Sequence, residues 1–124
     1  MVTKDDKPVF SYGVMGGDMQ PQGHVQILVN LLDFGMNVQQ AGDVSRIRHL
    51  GSSSPRGNSG DGLGIVEVES GIPDSIVKEL ESRGHRVRRS VGGFGGYQGI
   101  LIDHQHGVLH GATESRKDGT AVGY

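Results

Sequence analysis

Two adjacent glycines, Gly16 and Gly17, follow a stretch rich in β-branched and aromatic residues, Val9–Val14. A strand that delivers two small residues to its end can present successive backbone N–H groups to a ligand, and such donors stabilise a developing oxyanion. A plain strand-to-helix turn uses the same residues, because glycine adopts backbone conformations closed to other residues. Neither the spaced glycines of a dinucleotide-binding loop nor the Lys-Ser/Thr of a phosphate-binding loop is present. The pair therefore leaves two interpretations open, an oxyanion hole and a simple turn.

Four side chains near the C-terminal end could together hold a metal ion: Asp103, His104, His106 and His110. In a strand, alternation would place His104 and His106 on one face, and a turn at Gly107 would bring His110 towards them. The spacing matches none of the usual short metal-binding signatures, and histidines of this kind are common in exposed hairpins. We therefore predict no metal site and no cofactor.

A basic run comprises Arg83, His85, Arg86, Arg88 and Arg89. With the aromatic residues Phe94 and Tyr97 after it, the run superficially resembles an arginine-rich RNA-binding segment. A formal net charge of −2 and the acidic residues just upstream, Glu79 and Glu81, argue against a nucleic-acid partner. We interpret the run as a solvated helix end, where cations are favourable near the negative pole of the helix dipole.

The composition is that of a glycine-rich chain with few core residues. Of the 124 residues, 34% are hydrophobic and 22 are glycine, whereas average glycine usage is about 7%. This suits a single α/β domain with many tight turns, or one slice of a larger domain whose remainder completes the core. The absence of cysteine excludes disulfides and thiolate chemistry. With no apolar run long enough to span a membrane and no signal peptide, the sequence predicts no membrane partner and assigns no localisation.

Periodicity and turn residues predict the elements that would position these groups. Residues 1–8 are expected to form a loose lead-in, and residues 1–124 a single domain. Strands are predicted at Val9–Val14, at Ile65–Glu69, from Val87, and as a hairpin at Gln98–Asp103 and Gly107–Ala112. Helices are predicted from Gln22 to Phe34, from Asn37 to Asp43 with a capping box completed by Gln40, and from Pro73 to Gly84.

The helix predicted from Gln22 to Phe34 has a wide apolar face and is expected to be well buried. That face consists of Val25, Ile27, Leu28, Leu31 and Leu32. His24, on the same helix, is interpreted as a satisfied interior or interface histidine rather than a general base. Glycine-rich segments at 51–62 and 92–96 are predicted as a flexible loop and a turn. Together the elements predict an α/β protein whose sheet need not be wholly parallel.

Several distinctive stretches follow one another along the chain. The longest is residues 13–26 (GVMGGDMQPQGHVQ), followed by residues 31–37 (LLDFGMN). Further on come residues 42–46 (GDVSR), 65–69 (IVEVE), Leu80 with Gly84-His85, 97–100 (YQGI), 111–119 (GATESRKDG) and the final Gly123-Tyr124. In this order the stretches resemble the γ-glutamyltranspeptidase family and its acylase-like relatives, over nearly the whole chain after residue 8.

The resemblance implies a fold, a reaction and roles for two residues. Members of the family fold as a four-layer α/β/β/α sandwich of the N-terminal-nucleophile hydrolase class, to which this chain would contribute one sheet with flanking helices. They cut themselves into two subunits and use the newly exposed N-terminal threonine to attack a γ-glutamyl amide, passing the acyl group to water or an amino acid. The backbone amides of Gly16 and Gly17 map onto the family's oxyanion hole.

The chain also departs from the family pattern. In the family, the nucleophile and the residues that grip the glutamate α-amino and α-carboxyl groups lie upstream of the Gly-Gly segment, and these 124 residues contain no counterpart. Thr3 lies just ahead of the strand that leads to Gly16-Gly17, whereas the family's nucleophile begins a different, earlier strand. Val44-Ser45 stands where the family has alanine–proline, and Glu114-Ser115 stands where it has aspartate–proline.

These observations support two hypotheses of different classes. In the first, the chain is the C-terminal portion of the small subunit of a γ-glutamyltransferase, γ-glutamyl hydrolase or related acylase. It is inactive alone and supplies the oxyanion hole to a threonine in an upstream segment. In the second, it is a stand-alone, non-catalytic binding or structural domain that self-associates to cover a sheet face. The expected partner is the upstream portion or a second copy, and a γ-glutamyl or acyl amide binds only to the complete enzyme.

Overall fold

The computed structural model of the protein describes residues 1–51 and 64–123. Apart from Gly51, the loop predicted at 51–62 lies outside the described residues. In chain order the elements are β1 (Val2–Lys4), β2 (Lys7–Met15), α1 (Met19–Leu32), α2 (Val38–Asp43), β3 (Ile47–Leu50), β4 (Ile65–Val68), α3 (Asp74–Ser82), β5 (Arg86–Arg89), β6 (Gly96–Asp103) and β7 (Val108–Thr113). None of the helices in the described ranges is long and apolar enough to cross a membrane.

The chain divides into two compact units, which are described separately below. The first unit contains Met1–Val44 and Gly95–Tyr124, and the second contains Ser45–Phe94. The α/β class is confirmed, but each unit has its own sheet, so the expectation of one sheet was wrong. Strand pairing depends on which chain segments meet in space, and local sequence patterns do not encode that.

The first unit is an antiparallel sheet in the order β1-β2-β6-β7, with α1 and α2 packed against it. Its core holds Phe10, Val14, Ile27, Val38, Tyr97 and Ala112. The buried residues of α1 are Met19, Gly23 and Ile27, spaced by four so that they form one stripe along the helix. The prediction of a well-buried helix was therefore wrong in extent, since Val25 and Leu32 are 60% and 73% exposed.

The opposite face of this sheet carries exposed apolar side chains. Because side chains alternate along a strand, Met15 of β2 lies on the face opposite to Phe10 and Val14. The register between strands places Ile100 and Leu109 on the same side as Met15. These three side chains are 50%, 46% and 67% exposed, respectively. We call the surface formed by Met15, Ile100 and Leu109 the open face.

The second unit is a three-stranded sheet in the order β3-β4-β5. Strands β3 and β4 are antiparallel, and α3 connects β4 to its parallel neighbour β5, as a parallel pair requires a crossover. Helix α3 follows Pro73 and ends before Gly84, as predicted, and carries no fully buried residue. Strand β3 was not predicted, because four residues of mixed polarity (IRHL) give no clear alternation.

Two local features differ from the sequence predictions at the N-terminal end. Residues 1–8 were expected to be a loose lead-in but contain β1, which pairs with β2. Asp5 and Asp6 have φ values of 51° and 60°, so they form the tight turn between the strands, and aspartate tolerates this left-handed conformation better than most residues. Helix α1 begins at Met19 rather than Gln22, because Pro21 occupies its first turn, where no backbone N–H is needed.

Candidate functional site

The Gly16-Gly17 pair forms the turn between β2 and α1. Their φ values are 127° and 57°, in the region that favours glycine, and both residues are exposed. The predicted strand-to-helix turn is therefore confirmed. The proximity of the N-terminus of α1 also matters chemically, because the positive end of a helix dipole stabilises a nearby anion.

Hydrogen bonds fix the direction of the carbonyl groups in this turn. The oxygen of Gly16 accepts a bond from the Met19 amide at 3.0 Å, and that of Gly17 accepts one from the Gln20 amide at 2.9 Å. Both carbonyls therefore point into the first turn of α1. Within residues 1–51 and 64–123, neither the Gly16 N–H nor the Gly17 N–H donates a hydrogen bond. Two successive amides, in residues that are themselves exposed, are thus available to an acceptor.

Close packing of α1 against β2 holds the turn in place. A Cβ on Gly23 would lie 2.5 Å from Val14 Cγ1, so the helix approaches the strand to a distance that only glycine permits. His24, the next residue, presents its Nδ1 to the Gln20 carbonyl at 2.5 Å, while its Nε2 lies 3.4 Å from the Val14 amide. The interpretation of His24 as a satisfied structural histidine agrees with these contacts.

The predicted cluster of histidines lies at the tip of the β6–β7 hairpin. His106 Nδ1 is 2.6 Å from Asp103 Oδ2, and His110 Nε2 is 3.8 Å from the same oxygen. His104 turns away and bonds to the Pro8 carbonyl at 2.7 Å. The hydrogen bond from His106 lowers the pKa of Asp103 to about 2. Among the described residues, no group of three or more His, Cys, Asp or Glu has the geometry of a metal site.

The basic run is organised by ion pairs, not by a helix end. Residues Arg86–Arg89 form β5, so the interpretation as a solvated helix end was wrong for them. Arg89 binds Asp74 and donates to the Ile72 carbonyl at 2.8 Å. Arg83, at the end of α3, pairs with Glu79 at 2.7 Å across one helical turn. These contacts occupy Arg83 and Arg89.

Sequence reasoning missed a buried carboxylate in the second unit. The alternation of apolar and acidic residues at Ile65–Glu69 is typical of a half-exposed strand and predicts Glu67 on the exposed side. In the structure, the Glu67 side chain of β4 is only 3% exposed. It is bonded by Arg48 of β3 and Arg88 of β5, its register partners on either side. These hydrogen bonds lower the pKa of Glu67. An acidic residue flanked in register by arginines is a signal, but it becomes visible only once strand pairing is known.

A second buried ion pair closes the C-terminal segment onto α2. Arg116 Nη1 lies 2.6 Å from Glu114 Oε2 and donates to the Gly42 carbonyl at 2.8 Å. Its other nitrogen, Nη2, donates to the Val44 carbonyl at 2.9 Å. The Glu114 side chain is fully buried, so the Glu114-Ser115 segment places a buried carboxylate beside Arg116.

Comparison with known proteins places the chain in one family. The family model for gamma-glutamyltranspeptidase matches residues 1–124. A glutathione hydrolase-like proenzyme of Bacillus subtilis is 36% identical over 127 aligned residues, covering 99% of this chain and 23% of the relative. A glutathione hydrolase proenzyme of the same species is 31% identical, over an alignment that covers 97% of this chain and 19% of the proenzyme.

Solved structures share the fold. A cephalosporin acylase from Bacillus halodurans superposes with a TM-score of 0.82 at 41% identity, covering 95% of this chain and 20% of the acylase. The transpeptidase CapD of Bacillus anthracis gives a TM-score of 0.78 at 23% identity, covering 100% of this chain and 69% of that one, and this likeness bears on the fold alone.

The chain thus forms part of the fold of N-terminal-nucleophile hydrolases, as predicted. The chain belongs to the gamma-glutamyltranspeptidase family. It spans about a fifth of the length of the curated relatives it matches, 19% and 23% for the two above.

Proposed function

We propose that this chain is the C-terminal part of a γ-glutamyltransferase, γ-glutamyl hydrolase or acylase in which Gly16 and Gly17 form the oxyanion hole. A threonine nucleophile in an upstream segment would attack the amide carbonyl of the substrate. The two glycine amides would then stabilise the negative charge that develops on the carbonyl oxygen.

The observation that carries this proposal is the pair of available amides at the end of β2. They are adjacent and exposed, and within the described residues they donate no hydrogen bond. Their carbonyls are already fixed in the first turn of α1, so the amides need little reorganisation when charge develops. Removal of one such donor typically lowers kcat by about 10²–10³-fold.

The open face supports the need for an upstream partner. An exposed apolar sheet face is costly in water, and a second sheet packed on it would bury Met15, Ile100 and Leu109. Such packing would produce the two central layers of the family's sandwich. The relatives that match this chain are proenzymes about four to five times longer, since it covers 19–23% of them.

The test of the proposal uses the chain alone and the chain combined with its threonine-bearing segment. With a chromogenic γ-glutamyl anilide, we expect no turnover by the 124-residue chain and measurable turnover by the combination. In the complete enzyme, Gly17→Ala should lower kcat by about 10–100-fold, because a displaced donor stabilises the oxyanion less well. A side chain at a φ of 57° is strained by about 1–2 kcal/mol, which favours rotation of the amide.

Gly35→Ala is the matched control for this substitution. Gly35 has a φ of 63°, and neither its Cβ position nor that of Gly17 has any heavy atom within 4 Å. The two substitutions therefore impose similar backbone strain, but only Gly17 lies in the proposed site. Equal kcat values for the two variants would refute the oxyanion role, and turnover by the chain alone would refute the need for an upstream nucleophile.

The open face also favours a second candidate function, a non-catalytic domain that self-associates. In that case two copies would bury the open face against each other. Sedimentation distinguishes the candidates: this alternative predicts a dimer that Leu109→Lys converts to a monomer and no activity in any combination. A stable complex with the upstream segment, active on the anilide, would exclude the alternative.

A further inference from the structure

The backbone of Gly95 packs directly against the peptide group that precedes Gly16. Gly95 is buried and has a φ of +80°; a Cβ at this position would lie 2.6 Å from the Met15 oxygen. The same Cβ would lie 2.7 Å from Val14 Cγ1. From the other side, a Cβ on Gly16 would lie 3.1 Å from the Gly95 Cα. The two chain segments approach each other here as closely as glycine allows.

This contact bears on the direction of the Gly16 amide. The Met15 oxygen and the Gly16 N–H belong to one peptide group, which is planar and trans, so the N–H points opposite to the oxygen. Because the peptide group is rigid, a group that displaces the Met15 oxygen moves the whole peptide plane. The Gly16 N–H, one of the two proposed oxyanion donors, moves with it.

The second donor is held in an equivalent way by a different contact. The Gly17 N–H shares its peptide group with the Gly16 oxygen, and that oxygen accepts the bond from the Met19 amide at 3.0 Å. In each case the oxygen of a peptide group is held by a contact, and the N–H at the other end of the same group is the proposed donor. Helix α1 fixes the Gly17 donor, and the Gly95 backbone lies where it would fix the Gly16 donor.

We propose that Gly95 is a positioning residue for the oxyanion hole, which it orients by confining the Met15 carbonyl. The inference rests on the proposed function and goes beyond it, because Gly95 itself contacts no substrate. It lies 78 residues after Gly17 in the sequence and belongs to a different stretch of the chain, the glycine-rich turn at 92–96.

A methyl group at position 95 should therefore impair catalysis without weakening substrate binding. At 2.6 Å from the Met15 oxygen, it is closer than Cβ atoms approach other atoms in real structures, so the carbonyl must move. A displacement of about 1 Å at a reacting centre can lower the rate by about 10²-fold. We expect Gly95→Ala in the complete enzyme to lower kcat by about 10–100-fold with KM changed by no more than about two-fold.

Gly107→Ala provides the control for backbone strain. Gly107 lies in the same unit, has a φ of +67°, and has no heavy atom within 4 Å of its Cβ position. It therefore reproduces the unfavourable φ without the contact, and its kcat should stay within about two-fold of the parent enzyme. Inhibition by a boronic acid that forms a tetrahedral adduct with the nucleophile should weaken in Gly95→Ala, in proportion to the loss of kcat, and not in Gly107→Ala.

The double variant Val14→Ala/Gly95→Ala separates the carbonyl contact from general crowding. It removes the Val14 methyl at 2.7 Å and leaves the Met15 oxygen at 2.6 Å. Compared with Val14→Ala alone, the double variant should retain the full loss of kcat. It also serves as the test variant if Gly95→Ala by itself does not fold, because it has more room around position 95.

The outcomes distinguish failure of this inference from failure of the proposed function. Lowered kcat in both Gly17→Ala and Gly95→Ala, with the loss retained in the double variant, supports the inference. Normal kcat in Gly95→Ala with lowered kcat in Gly17→Ala overturns the positioning role alone, and so does restoration of kcat by Val14→Ala. Normal kcat in Gly17→Ala removes the oxyanion hole and with it the role of Gly95.

Discussion

Substitution of Gly23 by alanine should destabilise the first unit, although alanine is the better helix former. In the interior of a helix, alanine is favoured over glycine by about 1 kcal/mol. At this position the new Cβ would lie 2.5 Å from Val14 Cγ1 and 3.2 Å from Val14 Cβ, whereas favourable carbon–carbon contacts are about 3.5–4.0 Å. The helix and strand must therefore separate by about 1 Å, or Val14 must leave its rotamer.

The expected magnitude follows from these opposing effects. Overpacking of a close-packed core costs about 1–3 kcal/mol, and the helix propensity of alanine offsets about 1 kcal/mol of it. The free energy of unfolding should therefore fall by up to about 2 kcal/mol. Because Val14 is 2% exposed and Gly23 is buried in α1, the surrounding chain has little freedom to relax.

Urea unfolding of a double-mutant cycle measures this effect. Gly23→Ala, Val14→Ala and the double variant are compared with the parent chain at constant m-value. Removal of the valine methyls makes room for the new methyl, so the double variant should be more stable than the sum of the single effects predicts, by about 1–2 kcal/mol. Strict additivity, or a gain in stability from Gly23→Ala alone, would show that α1 and β2 are not in the close contact described.

Three further predictions concern individual side chains. Glu67→Gln should lower the free energy of unfolding by about 1–3 kcal/mol, because it leaves the guanidinium groups of Arg48 and Arg88 beside a buried neutral amide. The partial exposure of Arg88 keeps this loss below that of a fully buried ion pair. The pKa of Asp103 falls from 3.8 to about 2 on folding, so the ionised carboxylate stabilises the folded protein fully above about pH 4 and loses this effect as the pH falls towards 2. Asp103→Asn should remove this pH dependence of the stability. Asn37→Ala should cost about 1 kcal/mol, since the Asn37 side chain accepts hydrogen bonds from the Gln39 and Gln40 amides at the start of α2.

Each of these predictions has an internal control. Glu79→Gln breaks the exposed pair with Arg83 and should change stability by less than about 0.5 kcal/mol, so an equal effect of Glu67→Gln would contradict its buried role. An unchanged acid-unfolding curve in Asp103→Asn would exclude the His106 contact as a source of stability. Asn37→Ser keeps a capping oxygen and should recover most of the stability lost in Asn37→Ala; no recovery would show that capping is not the cause.

Local patterns predicted most of the elements of this protein. The capping box at Asn37 and Gln40, the helix between Pro73 and Gly84, and the β6–β7 hairpin are all confirmed. Each of these depends on residues close together in sequence, where backbone sterics and capping hydrogen bonds operate. Strands β1 and β3 were not predicted, because three or four residues of mixed polarity acquire their extended conformation from a pairing partner.

In the candidate site, too, local sequence predicted one feature and only the tertiary structure showed the other. The Gly16-Gly17 turn was visible in the sequence, because consecutive glycines after an apolar strand are typical of a tight turn with positive φ. The contact from Gly95 was not, since it joins segments about 80 residues apart. The environment of Glu67 was predicted wrongly for a related reason: alternation assigned it to a solvent face, whereas its neighbours in the sheet supply Arg48 and Arg88.

The sequence by itself determined the family, the α/β class and the position of the Gly-Gly turn, because these depend on ordered motifs and on the local conformational preferences of glycine and proline. Only the tertiary structure decided that the chain forms two units with separate sheets, that Glu67 is buried between two arginines, and that Gly95 abuts the Met15 carbonyl. These three features arise where distant segments meet, and the free energy of such contacts depends on burial and on strand register that no local pattern specifies.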